Sequence, residues 1–515
     1  MTTANLSERQ RDGDKLPRVL RILGVIERIG NALPHPFWLF WILAAILAVI
    51  SAIMSASGVS VISPSDGKEV VVRNLLSVEG LSMALSTAIG NFAEFGPMAT
   101  IVVVMMGVAV AEGTGFLNGL MRVTISRVPA FLVVFAVAFT GTMSHVASAA
   151  AYAILVPLGA VAFRAVGRSP ILGIVVAYTS IASGYDASPI PTPNDVIFAG
   201  ITTEAAHIID PEAYVSPLSN WFFNIASSLV LALVITLVTN LVLARRPDLD
   251  PDPEADVDET SLRLSRRETK AMIIAVLAVI AVLIVTTILL LPASSPLRGE
   301  GGSLTDSPFL DGIGVLVGML FALAGMVYGW LSGEITAWED VPAMMTSGVK
   351  QIAPVLVLFF AIAQFLAYFE WSYIGDVIAV ESAALLDSTG IPIPVVFLLV
   401  LGLLSVVNIL ITSGSAMWSI TAPVLVPMLM LVEVPAETTQ ALFRIADSGS
   451  TAVTPMSPYF VLALGFLQQY RRSAGIGTLA SYTLPLAVCM TLSWTLLFLA
   501  WWMLGLPLGP GAPVR

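Results

Sequence analysis

The chain has 515 residues, of which 57% are hydrophobic and only 11% are charged. A soluble globular domain carries about 25% charged residues, so a water-exposed surface over most of this chain is excluded. Much of the net charge of −11 lies in an acidic, proline-interrupted stretch at 248–259, which is typical of a solvated linker. The sequence has no basic patch that would indicate a nucleic-acid partner. The single cysteine, Cys489, excludes an intrachain disulfide and a cysteine-ligated metal.

Apolar runs of the roughly 20 residues that span a bilayer predict the elements in chain order. The polar and basic N-terminal tail, 1–36, lacks a signal-peptide cleavage site and is predicted to be cytoplasmic. A first transmembrane half at 37–245 and a second at 269–507 flank an acidic cytoplasmic linker at 246–268, and 508–515 form a C-terminal tail. The predicted crossings are 37–59, 97–120, 170–203, 217–245, 271–292, 313–335, 351–370, 438–470 and 479–505.

Lysine and arginine in short loops predict the orientation, because they concentrate on the cytoplasmic side. The tail, the linker and the loops at Arg122, Arg164 and Arg471 are basic, whereas the loops 204–216, 293–312 and 371–392 carry almost no basic residues. The two remaining apolar runs, 129–165 and 393–432, therefore each have both ends on one side, inside for the first and outside for the second. Each is predicted to be a re-entrant hairpin, with its tip near 144–148 or 413–418.

The two halves also resemble each other in sequence. The return arm of the first hairpin reads AILVP at 153–157, and that of the second reads PVLVP at 423–427. Each is followed by a run broken at a Thr-Pro pair, at 192–193 within 170–203 and at 454–455 within 438–470. The predicted fold is an all-α polytopic membrane protein with nine transmembrane helices and two re-entrant hairpins in two inverted repeats. Paired broken helices in such repeats indicate a binding site near the bilayer midplane.

The first half contributes two polar clusters at bilayer depth, where ionisable groups are functional candidates. Ser144, His145 and Ser148 lie at the first hairpin tip, which is either an inert turn or a place where the freed backbone meets a ligand. In the first break, three prolines interrupt the helix beside Asp186, Asn194 and Asp195. These oxygens suit Na⁺, or a carboxylate could carry a proton. The alternative is a kink capped by Asn194 or Asp195.

The second half contributes two more clusters. Asn408, Ser413, Ser415 and Trp418 lie at the second hairpin tip, where Trp418 either stacks on an aromatic ring or anchors at the membrane interface. Arg444 and Asp447 are three residues apart and share a helix face. Arg444 could grip a substrate carboxylate or form a structural pair with Asp447, and the two alternatives can coexist.

Common enzyme motifs and a phosphate-binding loop are absent from the sequence, so an enzyme and an ATP-driven pump are not expected. No cofactor is predicted apart from a coupling ion. The alternatives that stay open are an ion-coupled transporter and an ion channel, which saturable flux driven by an ion gradient would separate.

The stretch 408–458 resembles the AbgT family of p-aminobenzoyl-glutamate transporters. The motifs that carry the resemblance are Asn408, SAMW at 415–418, APVLVPM at 422–428, RIADS at 444–448, TP at 454–455 and PYF at 458–460. Further matches are AQF at 363–365, AYF at 367–369, WS at 371–372, TPND at 192–195 and AGITTEAA at 199–206. The resemblance covers about 20–507.

This resemblance implies a homodimer in the bacterial inner membrane, with a transport pathway in each protomer. It also implies proton- or sodium-coupled movement of p-aminobenzoyl-glutamate, or export of sulfonamides. The implied pathway residues are Asp195, Asn408, Ser415, Trp418, Arg444, Asp447 and Pro455. Two positions depart from the family pattern: Met417 stands where lysine is usual, and Glu370 stands where asparagine is usual. The loss of a cation beside Trp418 makes Arg444 the main candidate for binding a carboxylate.

The expected mechanism places a cation, H⁺ or Na⁺, where the hairpin tips and helix breaks meet. Hydroxyl and carbonyl oxygens would hold Na⁺ at Ser144, Ser148, Ser413 and Ser415, while Asp195 or Asp447 carries or senses the coupling ion. Import and export stay open, and uptake of another organic acid or dicarboxylate is the alternative among transporters.

Overall fold

A computed structural model describes residues 34–62, 67–126, 128–147, 150–252, 264–303 and 307–515. The predicted tail up to residue 33, Ser148 and the linker residues 253–263 lie outside the described residues. The described residues are almost entirely helical, with one two-stranded sheet of β1 (Ser60–Ile62) and β2 (Glu69–Val71). The prediction of an all-α membrane protein is confirmed.

In the part of the first half that the structure describes, there are nine α-helices. They are α1 (Pro36–Ala56), α2 (Val78–Ala93), α3 (Gly96–Gly113), α4 (Phe116–Ser126), α5 (Val133–Met143), α6 (Ala150–Ala165), α7 (Pro170–Ala182), α8 (Pro193–Ala206) and α9 (Trp221–Leu241). Proline occupies the first turn of α1, α3, α7 and α8, where its missing N–H costs no helical hydrogen bond. The predicted first hairpin corresponds to α5, a 3₁₀ turn at Ser144–Ala147, and α6.

The described residues of the second half form ten α-helices. They are α10 (Arg266–Leu290), α11 (Pro308–Asp311), α12 (Ile313–Ser332), α13 (Asp340–Trp371), α14 (Ile374–Thr389), α15 (Ile393–Leu410), α16 (Gly414–Met430), α17 (Ala436–Thr451), α18 (Pro458–Tyr470) and α19 (Ile476–Leu504). The segment 371–392, predicted to be an outside loop, therefore contains a helix, α14. α13 begins well before the predicted span 351–370 and is longer than a bilayer crossing needs.

Nine stretches of the described residues are long and apolar enough to cross a membrane. This set differs from the nine predicted crossings, because it includes Ala130–Ala147 and Ile393–Leu410, which the sequence assigns to the hairpins. It omits the two broken runs, whose parts α7, α8, α17 and α18 are each 13–16 residues long. The re-entrant paths and the inverted orientation of the repeats stay predictions.

The helices form two packed groups. The scaffold bundle comprises α1, α2, α3, α10, α12 and α13, in which α3 packs against both α12 and α13. At the closest approach of α3 and α12, a β-carbon on Gly107 would lie 1.9 Å from the Gly318 carbonyl oxygen, so only glycine fits there. The core bundle comprises α5–α9 and α15–α19, and α8 joins it to α3.

The packing within the core bundle has the same pattern in both halves. The first hairpin arm lies on the first part of the broken helix of its own half, as α5 on α7 and α15 on α17. The second arm contacts the second part of the broken helix of the other half, as α6 with α18 and α16 with α8, and α6 also packs closely on α7 of its own half. These cross-contacts bring both hairpin tips and both helix breaks to the middle of the core bundle.

The first residues of the linker, 246–252, are attached to the core bundle by hydrogen bonds, while Pro247, Asp250 and Pro251 are exposed. Arg246 donates from Nε and Nη2 to the two carboxylate oxygens of Asp248, each at 3.0 Å. Arg471 donates to the Asp248 carbonyl oxygen at 2.8 Å, and the Asp252 N–H donates to the Tyr470 carbonyl oxygen at 2.8 Å. The N-terminal part of the linker is therefore held by hydrogen bonds at the end of α18 and the loop between α18 and α19.

This attachment should depend on pH. The hydrogen bonds from Arg246 lower the pKa of Asp248, so its contribution to stability is present above the ordinary aspartate pKa and is lost as pH falls through the lowered value. We expect amide hydrogen exchange at 246–252, corrected for the intrinsic rate, to increase only below about pH 4. Because the pair is partly exposed, the increase should be a few-fold, as for a contribution under about 1 kcal/mol.

The Asp248→Asn variant should show the faster exchange already at neutral pH and no further change on acidification. Asp250→Asn, at an exposed neighbouring position, should behave as wild type. Equal pH profiles for all three proteins would contradict this role for Asp248.

Candidate functional site

The break between α7 and α8 is organised by a capping box. The Asp195 N–H donates to Thr192 Oγ1 at 3.3 Å, and the Thr192 N–H donates to Asp195 Oδ2 at 2.6 Å. Pro193 occupies the first turn of α8, while Pro189 and Pro191 keep the preceding residues out of the helix. The capping alternative for Asp195 is therefore correct for one of its oxygens, and the other oxygen points into the core bundle.

Arg444 forms an ion pair with Asp195 across the two halves of the chain. Arg444 Nη2 lies 2.6 Å from Asp195 Oδ1, and the two side chains are 0% and 6% exposed. Arg444 Nε donates to Asn220 Oδ1 at 3.2 Å, and the guanidinium lies 5.3 Å from the centre of the Phe198 ring. Arg444 pairs here with Asp195 and not with Asp447, which was one of the two alternatives, because the guanidinium extends from α17 to the capping box of α8.

Asp186 occupies the middle of the first break with a φ of +54°, a left-handed conformation that is uncommon for residues other than glycine. Its Oδ1 accepts a hydrogen bond from Thr192 Oγ1 at 2.9 Å and lies 4.0 Å from His145 Nδ1. His145 Nε2 lies 2.9 Å from the Ile181 carbonyl oxygen, which can only accept, so Nε2 carries a proton. Nδ1 of His145 is therefore the ring nitrogen that faces Asp186.

The buried charges of this site do not cancel. Arg444 is paired with Asp195, while Asp186 and Asp447 are 0% and 3% exposed. Asp186 Oδ2 and Asp447 Oδ1 have no hydrogen-bond partner among the described residues. A buried carboxylate without compensation is strongly unfavourable, so these two acids require protons, cations or a ligand.

The two hairpin tips meet at Tyr185. The His145 ring contacts the Tyr185 ring edge-on with centroids 5.4 Å apart. A β-carbon on Gly414, at the start of α16, would lie 3.0 Å from Tyr185 Oη and 2.9 Å from Asp447 Oδ2. Asn194 Nδ2 donates to Tyr185 Oη at 3.1 Å. Tyr185, which the sequence analysis did not select, therefore contacts both tips.

The predicted hydroxyl ligands have different environments. Ser144 is buried and donates to the Gly141 carbonyl oxygen at 2.7 Å, so its hydroxyl proton is already used. Ser413 precedes the first turn of α16 and Ser415 lies within it, and both are half-buried. Ser148 lies outside the described residues, so a site made of all four serines stays a prediction.

Trp418 lies in α16 rather than in the turn of the second hairpin, because the helix already begins at Gly414. It is 0% exposed, which excludes an interfacial anchor, and it stacks on Phe443 with ring centroids 4.6 Å apart. Its indole N–H donates to Thr202 Oγ1 at 3.0 Å. The preceding Met417 is also fully buried, whereas Glu370 lies exposed in the last turn of α13.

A chain of polar side chains connects Trp418 to the ion pair. Thr202 Oγ1 lies 2.6 Å from Gln440 Oε1, Gln440 Nε2 donates to Asn220 Oδ1 at 3.1 Å, and Asn220 also accepts from Arg444. Sequence reasoning missed Gln440 and Asn220. Both residues lie within runs that were predicted to cross the membrane. A polar amide side chain in such a run is the sequence signal that could have identified them.

Asn408 lies beside the second break, 452–457, and Pro455 lies within it. Asn408 Nδ2 donates to the Asp447 carbonyl oxygen and to Thr451 Oγ1, the latter at 3.2 Å. Its Oδ1 is buried and has no hydrogen-bond partner among the described residues. Pro455 is half-buried within the break. Asn408 and Asp447 therefore each present an unpartnered oxygen near the second tip.

The close approach at Gly414 predicts a sharp effect of one methyl group. In Gly414→Ala the new β-carbon must displace Tyr185 or Asp447, so we expect a loss of about 1–3 kcal/mol in stability. Transport should fall with it, because both tips move apart. Thermal unfolding and flux measure the two effects.

The matched control is Gly402→Ala, in the middle of α15, where a β-carbon meets no atom within 4 Å. It should be stabilising by about 0.5–1 kcal/mol and leave transport unchanged. Equal behaviour of the two variants would contradict the convergence of the tips at Tyr185.

A comparison with protein-family models matches residues 21–515 to the AbgT putative transporter family. The p-aminobenzoyl-glutamate transport protein of Escherichia coli (strain K12) is 38% identical over 492 residues, which cover 95% of this chain and 96% of that protein. Among the described residues, no group of three or more His, Cys, Asp or Glu residues could hold a metal ion.

Two solved structures are similar over nearly the whole chain. The crystal structure of the Alcanivorax borkumensis YdaH transporter, described as having an unusual topology, is 36% identical with a TM-score of 0.86 and covers 93% of this chain and 100% of that one. Neisseria gonorrhoeae MtrF, described as illuminating a class of antimetabolite efflux pumps, is 37% identical with a TM-score of 0.89 and covers 96% of this chain and 100% of that one.

Proposed function

The chain belongs to the AbgT family of transporters, and from this premise we propose that it is a secondary transporter of p-aminobenzoyl-glutamate, an exporter of sulfonamide antimetabolites, or both. The E. coli relative is named for the first substrate, and MtrF is described as one of a class of antimetabolite efflux pumps. Both substrate classes combine an aromatic ring with polar or anionic groups. The site offers an arginine and stacked aromatic side chains for such a molecule.

The observation that carries this proposal is the buried pair of Arg444 and Asp195, with its polar connection to Trp418. Arg444 Nη1 has no hydrogen-bond partner among the described residues, so it can receive a substrate carboxylate without breaking the bond to Asn220. In the substrate-bound state, the aromatic ring takes a place on Trp418, which in this conformation is covered by Phe443. Binding therefore requires the Trp418–Phe443 stack to open.

Coupling to an ion gradient, H⁺ or Na⁺, is the second part of the proposal. The unpartnered oxygens of Asp186, Asp447 and Asn408 support a cation or proton near the tips, together with Ser144, Ser148, Ser413 and Ser415. A bound cation compensates buried charge in only some conformations. Such differential binding is the condition under which an ion can drive movement of a substrate.

The chain is a multi-pass membrane protein, and we place it in the bacterial inner membrane with its N-terminus in the cytoplasm. We further propose that it forms a homodimer, in which the core bundle moves against the scaffold bundle of each protomer. Most helix contacts lie within one group or the other, with α8 on α3 as the main contact between them, and this supports a rigid-body movement of this kind.

Counterflow in proteoliposomes tests the substrate. Vesicles preloaded with unlabelled p-aminobenzoyl-glutamate or a sulfonamide should transiently accumulate the same labelled compound, without any ion gradient. Arg444→Lys keeps the charge but loses the planar guanidinium, and it should lower counterflow of the carboxylate substrate by about tenfold or more. A linear, non-saturable flux would indicate a channel. Counterflow with dicarboxylates alone would replace these substrates with another organic acid.

A further inference from the structure

An apolar cavity of about 600 Å³ lies between the core bundle and the scaffold bundle. The core side is formed by the first hairpin tip at Val146 and Ala147, and by the break at Pro189–Pro191. The scaffold side is formed by α10 and α12, and residues of α4 also line the cavity. We call this space the side cavity. It contacts the outer surface of the tip and is distinct from the ion pair of Arg444 and Asp195.

The wall of the side cavity offers almost no hydrogen-bonding capacity. The hydroxyls of Thr124, Ser144 and Thr287 donate to backbone carbonyl oxygens of their own helices at 2.7–2.8 Å. The indole N–H of Trp221 donates to the Pro189 carbonyl oxygen at 2.9 Å. Only the Thr140 hydroxyl lacks a partner among the described residues of this wall. An anionic substrate entering this space would lose its hydration without replacement, so the lining selects hydrocarbon.

The outer wall of the side cavity is continuous with the surface that faces lipid. Val276, Val279, Ile280, Leu283 and Thr287 line the cavity from one face of α10, at helical spacing. On the same helix, Ile284 and Ile288 do not line the cavity and are 53% and 57% exposed. In its most apolar window, α10 is only 6% buried, the lowest of the nine candidate spans. The outward face of α10 is therefore uncovered within the chain and is apolar enough to face bilayer acyl chains.

We infer that the side cavity binds an acyl chain of a bilayer lipid, inserted between α10 and the first hairpin tip. The volume lies within the roughly 300–1,000 Å³ that is typical of small-molecule sites. If a space of this size were empty, its apolar lining would have no dispersion contacts on that side. Water is a poor occupant, because the lining offers it few hydrogen-bond partners. The occupant contacts Val146 and Ala147, so it stabilises the position of the tip that this structure has. This binding is independent of which substrate the transporter moves.

Photocrosslinking tests the inference with the full-length protein in phosphatidylethanolamine and phosphatidylglycerol vesicles. A phosphatidylethanolamine carrying a diazirine in the middle of one acyl chain should label Met121, Val146 or Leu320 of the cavity wall, as identified by mass spectrometry. Val279→Phe places a ring in the cavity and should lower these adducts about tenfold. Val285→Phe is the matched control, because Val285 lies on the opposite face of the same helix and is 55% exposed.

Leu283→Ala enlarges the cavity from the same wall and should keep or increase the number of adducts. This comparison separates exclusion of lipid from misfolding of the Val279→Phe protein. Adducts restricted to residues on the lipid-facing surface, unchanged by Val279→Phe, would overturn the inference. Protection of the cavity by soluble p-aminobenzoyl-glutamate would also overturn it, because the occupant would then be substrate. Labelling needs no transport, so a failure of the proposed function leaves this result interpretable.

Discussion

Replacing Asp195 by asparagine should both destabilise the protein and abolish transport. The substitution keeps an oxygen for the Thr192 N–H and leaves Arg444 buried with an unpaired charge. Removing one member of a buried ion pair costs about 3–5 kcal/mol, so we expect a loss of that order in the free energy of unfolding. Gradient-driven flux should fall by at least about a hundredfold, because both the ion pair and a coupling carboxylate are lost. Thermal unfolding in detergent and flux in proteoliposomes measure the two effects.

The double variant Asp195→Asn/Arg444→Gln separates structure from transport. Neutralising both members removes the uncompensated charge, so most of the lost stability should return while flux stays absent. Asp248→Asn is the matched control, since it removes the aspartate of a partly exposed arginine pair and should cost less than about 1 kcal/mol with normal flux. Recovery of transport in the double variant would show that the pair serves only the fold.

Replacing Trp418 by phenylalanine should lower transport by about tenfold or more with a modest loss of stability. The variant keeps an aromatic ring against Phe443 but removes the indole N–H that contacts Thr202. The lost hydrogen bond and smaller ring should cost about 1–2 kcal/mol. Transport should suffer more, because this hydrogen bond is the end of the polar chain that reaches Arg444. Concentration-dependent flux and thermal unfolding provide the comparison.

Trp494→Phe is a closely matched control for this experiment. Trp494 is 1% exposed in α19, and its indole N–H donates to Ser227 Oγ at 2.8 Å, away from the helix breaks. It should lose a similar amount of stability and retain its flux. Equal losses of flux in the two variants would assign the effect to general destabilisation of the core bundle.

Much of the fold could be predicted from local sequence signals. Long apolar runs indicated the spans, and proline clusters coincide with the non-helical segments at 183–192 and 452–457. The helices α2 and α14 were missed because serine, threonine and acidic residues interrupt their apolar runs, and each helix has only 16 residues, fewer than the roughly 20 that span a bilayer. Their helical structure depends on packing against α13 and α16, which the sequence alone does not reveal.

The candidate site could be predicted as a set of residues but not as a set of contacts. Arg444 and Asp447 share a helix face by spacing, which suggested a local pair as one alternative. No local signal connects Arg444 to Asp195, which is 249 positions away. Which aspartate pairs with Arg444 depends on how the two halves pack, because α8 and α17 contact each other within the core bundle. Tyr185, Asn220 and Gln440 were missed for the same reason, because their importance comes from partners in other helices.

Accumulation of labelled p-aminobenzoyl-glutamate in proteoliposomes under an imposed H⁺ or Na⁺ gradient tests the central claim most directly. Wild-type protein should concentrate the compound above the external level under one of the two gradients, and Asp195→Ala and Trp418→Ala should abolish this accumulation. That result would identify the coupling ion as well as the substrate. Absence of accumulation of p-aminobenzoyl-glutamate and of sulfonamides under either gradient, from protein shown to be folded, would contradict the proposed transport function.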